Sequence, residues 1–470
     1  MQKSVLVEII RSLNKKEVRE IHKWLQSPAH NLRQDVVALF DYLVRKSSDA
    51  IESVDKEQVW QAVFPQEDFD DARMRQVMYF LLKAIEDYLA FTELRKDEVH
   101  IQTVLLKVYR TRQLEKPFKM TMEAARKRQK ESPYRNSVFL REQHVLEQEL
   151  YYYLGSRKRS DEVNLQETSD ALDLAYFADK LQIGCRMLAH QTVYKKAMYD
   201  LRQLENTLAY VEQQNLLKEP AIAVYYYGFK ALTERENETH FANLERIIFE
   251  NGSLFPMAEL RELYLLAINY CISRINAGIE SYLRKSFEFY KEGFSKGILI
   301  ENNLVTRITF GNAVSNAIKI KEFAWAEEFI EKFTPYLDEK SRESTVHFNL
   351  ARLYFEKKDY AKAQQLLLKF DYDDILLNLV AKTMLLKIYY EEEEFSAFES
   401  LLESMRTYLQ RKDAVSANHR IVYKNLFSVM RRLIHLNPFS KTQKDKFREL
   451  VLNTNPLLEK EWLLNQLDRH

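Results

Sequence analysis

All eight glycines of this 470-residue chain lie between Gly155 and Gly311, so neither the stretch before the first nor the stretch after the last contains one. With only nine prolines beside them, few residues are suited to the tight turns that an all-β or doubly wound α/β chain requires. Glycine-rich phosphate loops are excluded from both glycine-free stretches. Leu, Glu, Lys, Arg and Gln fill the long segments instead, and these are strong helix formers. The composition therefore predicts an all-α chain, helical nearly throughout.

Residues 344 to 405 contain a helix-pair pattern twice, 35 residues apart. The first copy reads Leu350-Ala351-x-x-Tyr354, then Asp359-Tyr360-x-x-Ala363 and Leu367. The second reads Leu385-Leu386-x-x-Tyr389, then Glu394-Phe395-x-x-Phe398 and Leu402. A weaker copy precedes them: Ala313, Ala317, Glu322-Phe323, Ala326 and Ile330, with Pro335 beyond. A still weaker one runs from Leu266-Ala267-x-x-Tyr270 to Tyr290. A period of this size marks stacked helical repeats, since one helix pair buries too little surface to stand alone.

The order Phe348-Asn349-Leu350-Ala351, Tyr354, Asp359-Tyr360 and Ala363 resembles the tetratricopeptide repeat. Lys358 stands where that family prefers glycine, so a less tightly left-handed turn is expected there. The resemblance implies an α-solenoid of antiparallel helix pairs, a tetratricopeptide-like superhelix. In that family the first helix of each pair lines a groove for a partner. It thereby assigns Phe348, Arg352 and Phe355 to the groove, with Thr383, Lys387 and Tyr390 in the next copy and Asn312 and Ser315 in the preceding one. The Lys, Asn and Arg pattern of repeats that clamp a C-terminal carboxylate is not matched.

Residues 1–95 read as an N-terminal helical unit. Helices are expected from Lys15 to Leu25, after an N-cap at Asn31 with Gln34 completing a capping box, from Asp55 to Pro65, and from Asp70 or Asp71 onward. The last two resemble, loosely, the helical part of winged-helix effector domains, but no β-wing accompanies them. Arg73, Arg75 and Lys83 would then contact phosphates; as ordinary solvent-face charges they need no ligand. Residues 96–165 form a basic helical connector. Between Lys107 and Arg135 ten basic residues stand against three acidic ones, including Arg126, Lys127, Arg128 and Lys130, with Arg157-Lys158-Arg159 further on. Residues 166–470 carry the repeats, closed by capping helices around Ile421 to Ile434, after Ser440 and after Asn455-Pro456.

Overall charge is balanced, 70 basic against 69 acidic residues, so no global field draws the chain to nucleic acid or membrane. Val5-Leu6-Val7 is interrupted by Glu8 and then Arg11, Lys15 and Lys16, unlike a signal peptide, and no apolar run is long enough to span a bilayer. Cys185 and Cys271 sit among Leu, Ile and Met as buried thiols do. A cytoplasmic location is the expectation.

Signals for chemistry are weak. Gly293-Phe294-Ser295-Lys296-Gly297 matches a nucleophile-elbow string, but it follows a helical pattern and lacks the preceding strand, so a glycine-punctuated helix end explains it. The ten histidines show no metal spacing, and His190 and His347 read as partly buried structural residues. Asp371, Asp373 and Asp374 lack the Gly and terminal Glu of a calcium loop, and Glu391 to Glu394 belong at a solvated turn. The expectation is a non-catalytic scaffold that binds a protein or peptide partner and uses no cofactor or metal. The alternative is a nucleic-acid-binding or transcription-regulatory protein acting through the N-terminal helices or the segment 107–135; an RNA-reading repeat is opposed by the glutamate run.

Overall fold

The computed structural model describes residues 4–47, 56–156, 162–194, 196–369, 375–411, 416–437 and 439–468. The expected helix start at Asp55, the basic run Arg157-Lys158-Arg159, the acidic cluster Asp371, Asp373 and Asp374, and Pro438 lie outside the described residues. Among the described residues the chain is all-α, with twenty-three α-helices, four short 3-10 turns and no β-strand beyond two isolated bridges. No helix among them is long and apolar enough to cross a membrane. The chain divides into two compact units, Met1–Lys180 with Ala209–Ile222, and Leu181–Leu208 with Ala223–His470.

The first unit opens with α1 (Val5–Ser12), α2 (Lys15–Gln26), α3 (Gln34–Ser47), α4 (Lys56–Val63) and α5 (Asp71–Leu94). Their apolar faces meet in one core that includes Ile21, Leu25, Val36, Phe40, Trp60, Met74, Val77, Leu81 and Ile85. Asp70 caps α5 through the backbone N–H groups of Ala72 and Arg73, as its position before the apolar run predicts. Asn31 does not cap α3. Its amide instead donates to the Leu25 and Arg33 carbonyls, 2.8 and 2.9 Å away, and so ties the loop to the end of α2. A capping box forms at α2, between Asn14 and Glu17. Next come α6 (Glu98–Thr111), α7 (Glu115–Glu131) and α8 (Ser137–Gly155), with a separate core of Leu106, Phe118, Met122, Ala125, Leu146 and Tyr153.

The boundary between units falls within α9 (Leu165–Val193), α10 (Arg202–Gln213) and α11 (Pro220–Thr233). In the second unit follow α12 (Glu238–Asn251), α13 (Met257–Asn276), α14 (Ser281–Ser295), α15 (Arg307–Lys319), α16 (Phe323–Phe333), α17 (Glu339–Glu356), α18 (Tyr360–Leu368), α19 (Ile375–Glu391) and α20 (Phe395–Arg411). Each packs on the next, and α17 also packs on α15 and α19, two elements away in either direction. The chain closes with α21 (Ala417–Ile434), α22 (Lys441–Asn453) and α23 (Lys460–Asn465). The last helix therefore starts at Lys460, with Leu457 and Leu458 in the irregular segment after Pro456.

Five helix ends share one turn. The second residue after the helix takes a positive φ, at Gln113 (57°), Gly278 (89°), Lys321 (64°), Lys358 (59°) and Glu393 (59°). The following N–H then reaches back to a carbonyl in the last helical turn: Leu114 to Tyr109, Ile279 to Arg274, Glu322 to Ala317, Asp359 to Tyr354 and Glu394 to Tyr389, at 2.8 to 3.1 Å. A second bond runs from the positive-φ residue itself, as from Lys358 N–H to Phe355 O at 3.0 Å. This is the Schellman arrangement. Lys358 is thus fully left-handed despite its side chain, contrary to the looser turn expected of it. Two backbone hydrogen bonds to carbonyls otherwise left open outweigh a steric cost of about 1–2 kcal/mol.

Lys358 is exposed and its side chain has no partner among the described residues, so its substitution isolates the backbone. Lys358→Gly is expected to raise stability by about 0.5 kcal/mol, the left-handed penalty less glycine's entropy. Lys358→Val should lower it by roughly 1–2 kcal/mol, because a β-branched residue tolerates positive φ worst. Denaturant unfolding checks both, and equal stabilities would mean the turn relaxes. Ala363, fully buried among Phe348, Ala351, Phe355 and Leu367, leaves no room for a charge. Ala363→Arg should cost about 3–5 kcal/mol, read as a large fall in the thermal midpoint.

Candidate functional site

Helices α15, α17 and α19, with the end of α13 and the start of α14, border a groove of ≈ 1160 Å³. Ser315, Phe348, Arg352, Phe355 and Lys387 line it. Asn312 lines a smaller cleft of ≈ 310 Å³ that shares Ser315, Phe348 and Arg352 with the groove. These six come together because residues three or four apart share one face of a helix. Two of the eight groove positions lie elsewhere. Thr383 is buried, its hydroxyl donating to the Leu379 carbonyl at 2.8 Å. Tyr390 packs edge-on against Trp462, with ring centroids 5.5 Å apart.

In α19 the groove face is instead Leu376, Leu377, Val380, Met384 and Lys387. Helix α19 is apolar on nearly every side, ILLNLVAKTMLLKIYYE, so periodicity does not single out one face. Sequence reasoning had no signal for the choice between Thr383 and Met384.

Arg352 is the polar centre of the groove. Its Nη2 donates to Ser315 Oγ at 2.6 Å, and its guanidinium stands 5.7 Å from the centroid of the Phe348 ring. No carboxylate among the described residues forms an ion pair with it. Burial lowers its pKa, which Glu356 partly offsets, yet a guanidinium stays charged at neutral pH. A partly buried cation lacking a counter-ion is costly, and it offers an anion or a carbonyl oxygen a strong seat.

Lys387 holds the other end. Its Nζ lies 2.8 Å from Glu459 Oε2, with only 12% of its side chain exposed, between the Phe355 ring at 4.8 Å and the Trp462 ring at 5.5 Å. The segment before and within α23 therefore shuts this end of the groove. Glu391 anchors it, accepting from Trp462 Nε1 at 2.9 Å and from Gln466 Nε2 at 3.1 Å. Glu391 is thus drawn out of the solvated turn to which its neighbours Glu392, Glu393 and Glu394, all exposed, still belong. Nothing in the repeat pattern announces this link across some 70 residues.

The other candidate residues are dispersed. Arg126 pairs with Glu147 at 2.7 Å, Arg128 with Glu98 at 2.5 Å and Lys127 weakly with Glu131 at 3.9 Å. The Lys130 side chain is exposed without a partner among the described residues, while its carbonyl accepts from Arg135 Nη2 at 3.3 Å. Arg73 pairs with Glu67 and lies 4.1 Å over the Phe64 ring; Arg75 meets Asp71 and Lys83 meets Glu86. A phosphate backbone would have to displace these carboxylates. Ser295 ends α14 and donates to the Glu292 carbonyl at 2.9 Å. A side chain at Gly293 would come within 2.8 Å of Leu299, and Gly297 has φ +70°, so both glycines serve packing and the turn. His347 is partly buried and its pKa is lowered by that burial, whereas His190 is exposed and meets the Tyr199 hydroxyl at 2.8 Å. Cys185 and Cys271 are free, buried thiols whose pKa burial raises. Among the described residues no three His, Cys, Asp or Glu side chains converge on a metal position.

No protein-family model matches this chain, and no curated protein matches it.

A double-mutant cycle of Lys387→Met and Glu459→Gln should give a coupling of about 1 kcal/mol, beyond the 0.3–0.5 kcal/mol scatter of independent sites. Additive effects would show that Glu459 does not close the groove through this pair.

Proposed function

We propose that this chain is a non-catalytic, tetratricopeptide-like scaffold that holds a protein or peptide partner in the groove of α15, α17 and α19. The observation that carries the reading is the convergence of one face from three alternate helices, α15, α17 and α19, on a single groove. The same left-handed turn between α15 and α16, α17 and α18, and α19 and α20 supports a repeated unit. On this reading the helix pairs are antiparallel and stack as a solenoid, whose end α23 caps. Phe348, Phe355, Leu377, Val380 and Met384 would receive apolar side chains, and Arg352 would take an oxygen of the partner.

The test is site-specific photo-crosslinking. A photoreactive amino acid at Leu376, on the exposed rim of the groove, should capture a protein whose adduct survives nuclease treatment. Val380→Glu, at another exposed groove position, should abolish that adduct without changing the circular dichroism spectrum. An adduct indifferent to Val380→Glu, or one lost with nuclease, overturns the reading.

A further inference from the structure

From Ala414 to Lys444 the sequence contains Arg420, Lys424, Arg431, Arg432, Lys441 and Lys444 and no Asp or Glu. Within α21, Arg420, Lys424, Ser428 and Arg431 recur at steps of four, four and three, and so share one face. That face and the facing side of α20 border a groove of ≈ 820 Å³, separate from the one described above. Five cationic side chains line it: Arg406, Arg420, Lys424, Arg431 and Arg432. The lining carries one carboxylate, Glu403, which stands 3.9 Å from Arg406.

Arg420 donates to the Leu409 carbonyl at 3.0 Å and Arg406 stands beside Glu403, but the fold leaves the other three cations available. Lys424, Arg431 and Arg432 are exposed and have no hydrogen-bond or ion-pair partner among the described residues. Like charges gathered along one cleft repel one another, and the arrangement is relieved by an anionic occupant. The floor decides which kind. Leu402, Leu409 and Phe427 form it, an apolar strip between cationic rims, which suits side chains alternating between carboxylate and hydrocarbon. Single-stranded nucleic acid relies on successive open aromatic faces to stack its bases, and this lining holds two aromatic rings, Phe427, only 6% exposed, and His435, whose Nε2 lies 3.8 Å from Glu399.

We propose that the groove between α20 and α21 is a docking site for an acidic, amphipathic peptide segment of a partner protein. The site lies on residues distinct from those of the α15, α17 and α19 groove, and it stands or falls independently of that reading.

The probe is a fluorescein-labelled helical peptide of about 16 residues, long enough to follow helices of this size, with glutamates on one face and leucines on the other. Anisotropy with the full chain at about 0.1 M salt, where exposed charges more than about 10 Å apart are screened, should show saturable binding. Lys424→Gln, Arg431→Gln and Arg432→Gln together should weaken it at least tenfold. Ser428→Trp keeps every cation but fills the groove, and should weaken it comparably; circular dichroism confirms that both variants fold. Absence of saturable binding, wild-type affinity in the triple variant, or wild-type affinity in Ser428→Trp, which would mean a diffuse field and no groove, overturns the proposal. So does a single-stranded oligonucleotide of equal charge that binds more tightly than the peptide.

Discussion

The second unit depends on how its helices end. At Lys321, Lys358 and Glu393 the chain takes a left-handed turn, closes two backbone hydrogen bonds on the preceding helix, and begins the next helix within two residues. A link this short holds consecutive helices in contact, so α15 meets α16, α17 meets α18 and α19 meets α20. It also fixes which sides remain free to meet α15, α17 and α19 in turn. Small residues at those contacts, Ala313, Ala317, Ala326, Ala351 and Ala363, all fully buried, let the helices approach closely. The turn and the alanines act together, since one sets direction and the other distance.

The groove that results has an uneven character. Its walls mix apolar side chains such as Leu377, Val380 and Met384 with charged ones of both signs, among them Lys319, Lys321, Glu356 and Glu461, and Arg352 and Lys387 stand at separate points with opposite circumstances. Arg352 has a neutral partner in Ser315 and no carboxylate, whereas Lys387 is neutralised by Glu459 from the C-terminal segment. An incoming chain meets a cation without a counter-ion at Arg352 and a neutralised one at Lys387, with the exposed Lys319 and Lys321 in the same lining. Specificity in such a groove comes from its polar points, because apolar walls accept many side chains of similar size.

Much of the chain's charge has a domestic use. The basic run from Lys107 to Arg135 looks like a ligand-binding stripe in one dimension, yet Arg126 and Arg128 reach carboxylates on α8 and α6. Exposed pairs of this kind add little stability, but they change what the surface presents. In α21 the reverse holds. Its cations are fewer in number, and three of them, Lys424, Arg431 and Arg432, stand exposed along a groove without a hydrogen-bond or ion-pair partner among the described residues. The absence of any acid between Asp413 and Asp445 was the available signal.

The sequence by itself determined what depends on near neighbours. Scarce glycine and abundant helix formers dictated helices; Asp70 dictated the start of α5; spacing of three and four placed Phe348, Arg352 and Phe355 on one face. Tertiary structure decided whatever depends on residues far away along the chain. Which side of the uniformly apolar α19 is buried, and hence whether Thr383 or Met384 faces the groove, follows from the helices packed around it. Tyr390 and Glu391 are claimed by Trp462 and Gln466, more than 70 residues onward. Lys358 is left-handed because its turn is hydrogen-bonded between packed helices. Periodicity along a chain records local geometry, but the partner of a charge or a ring is chosen in space.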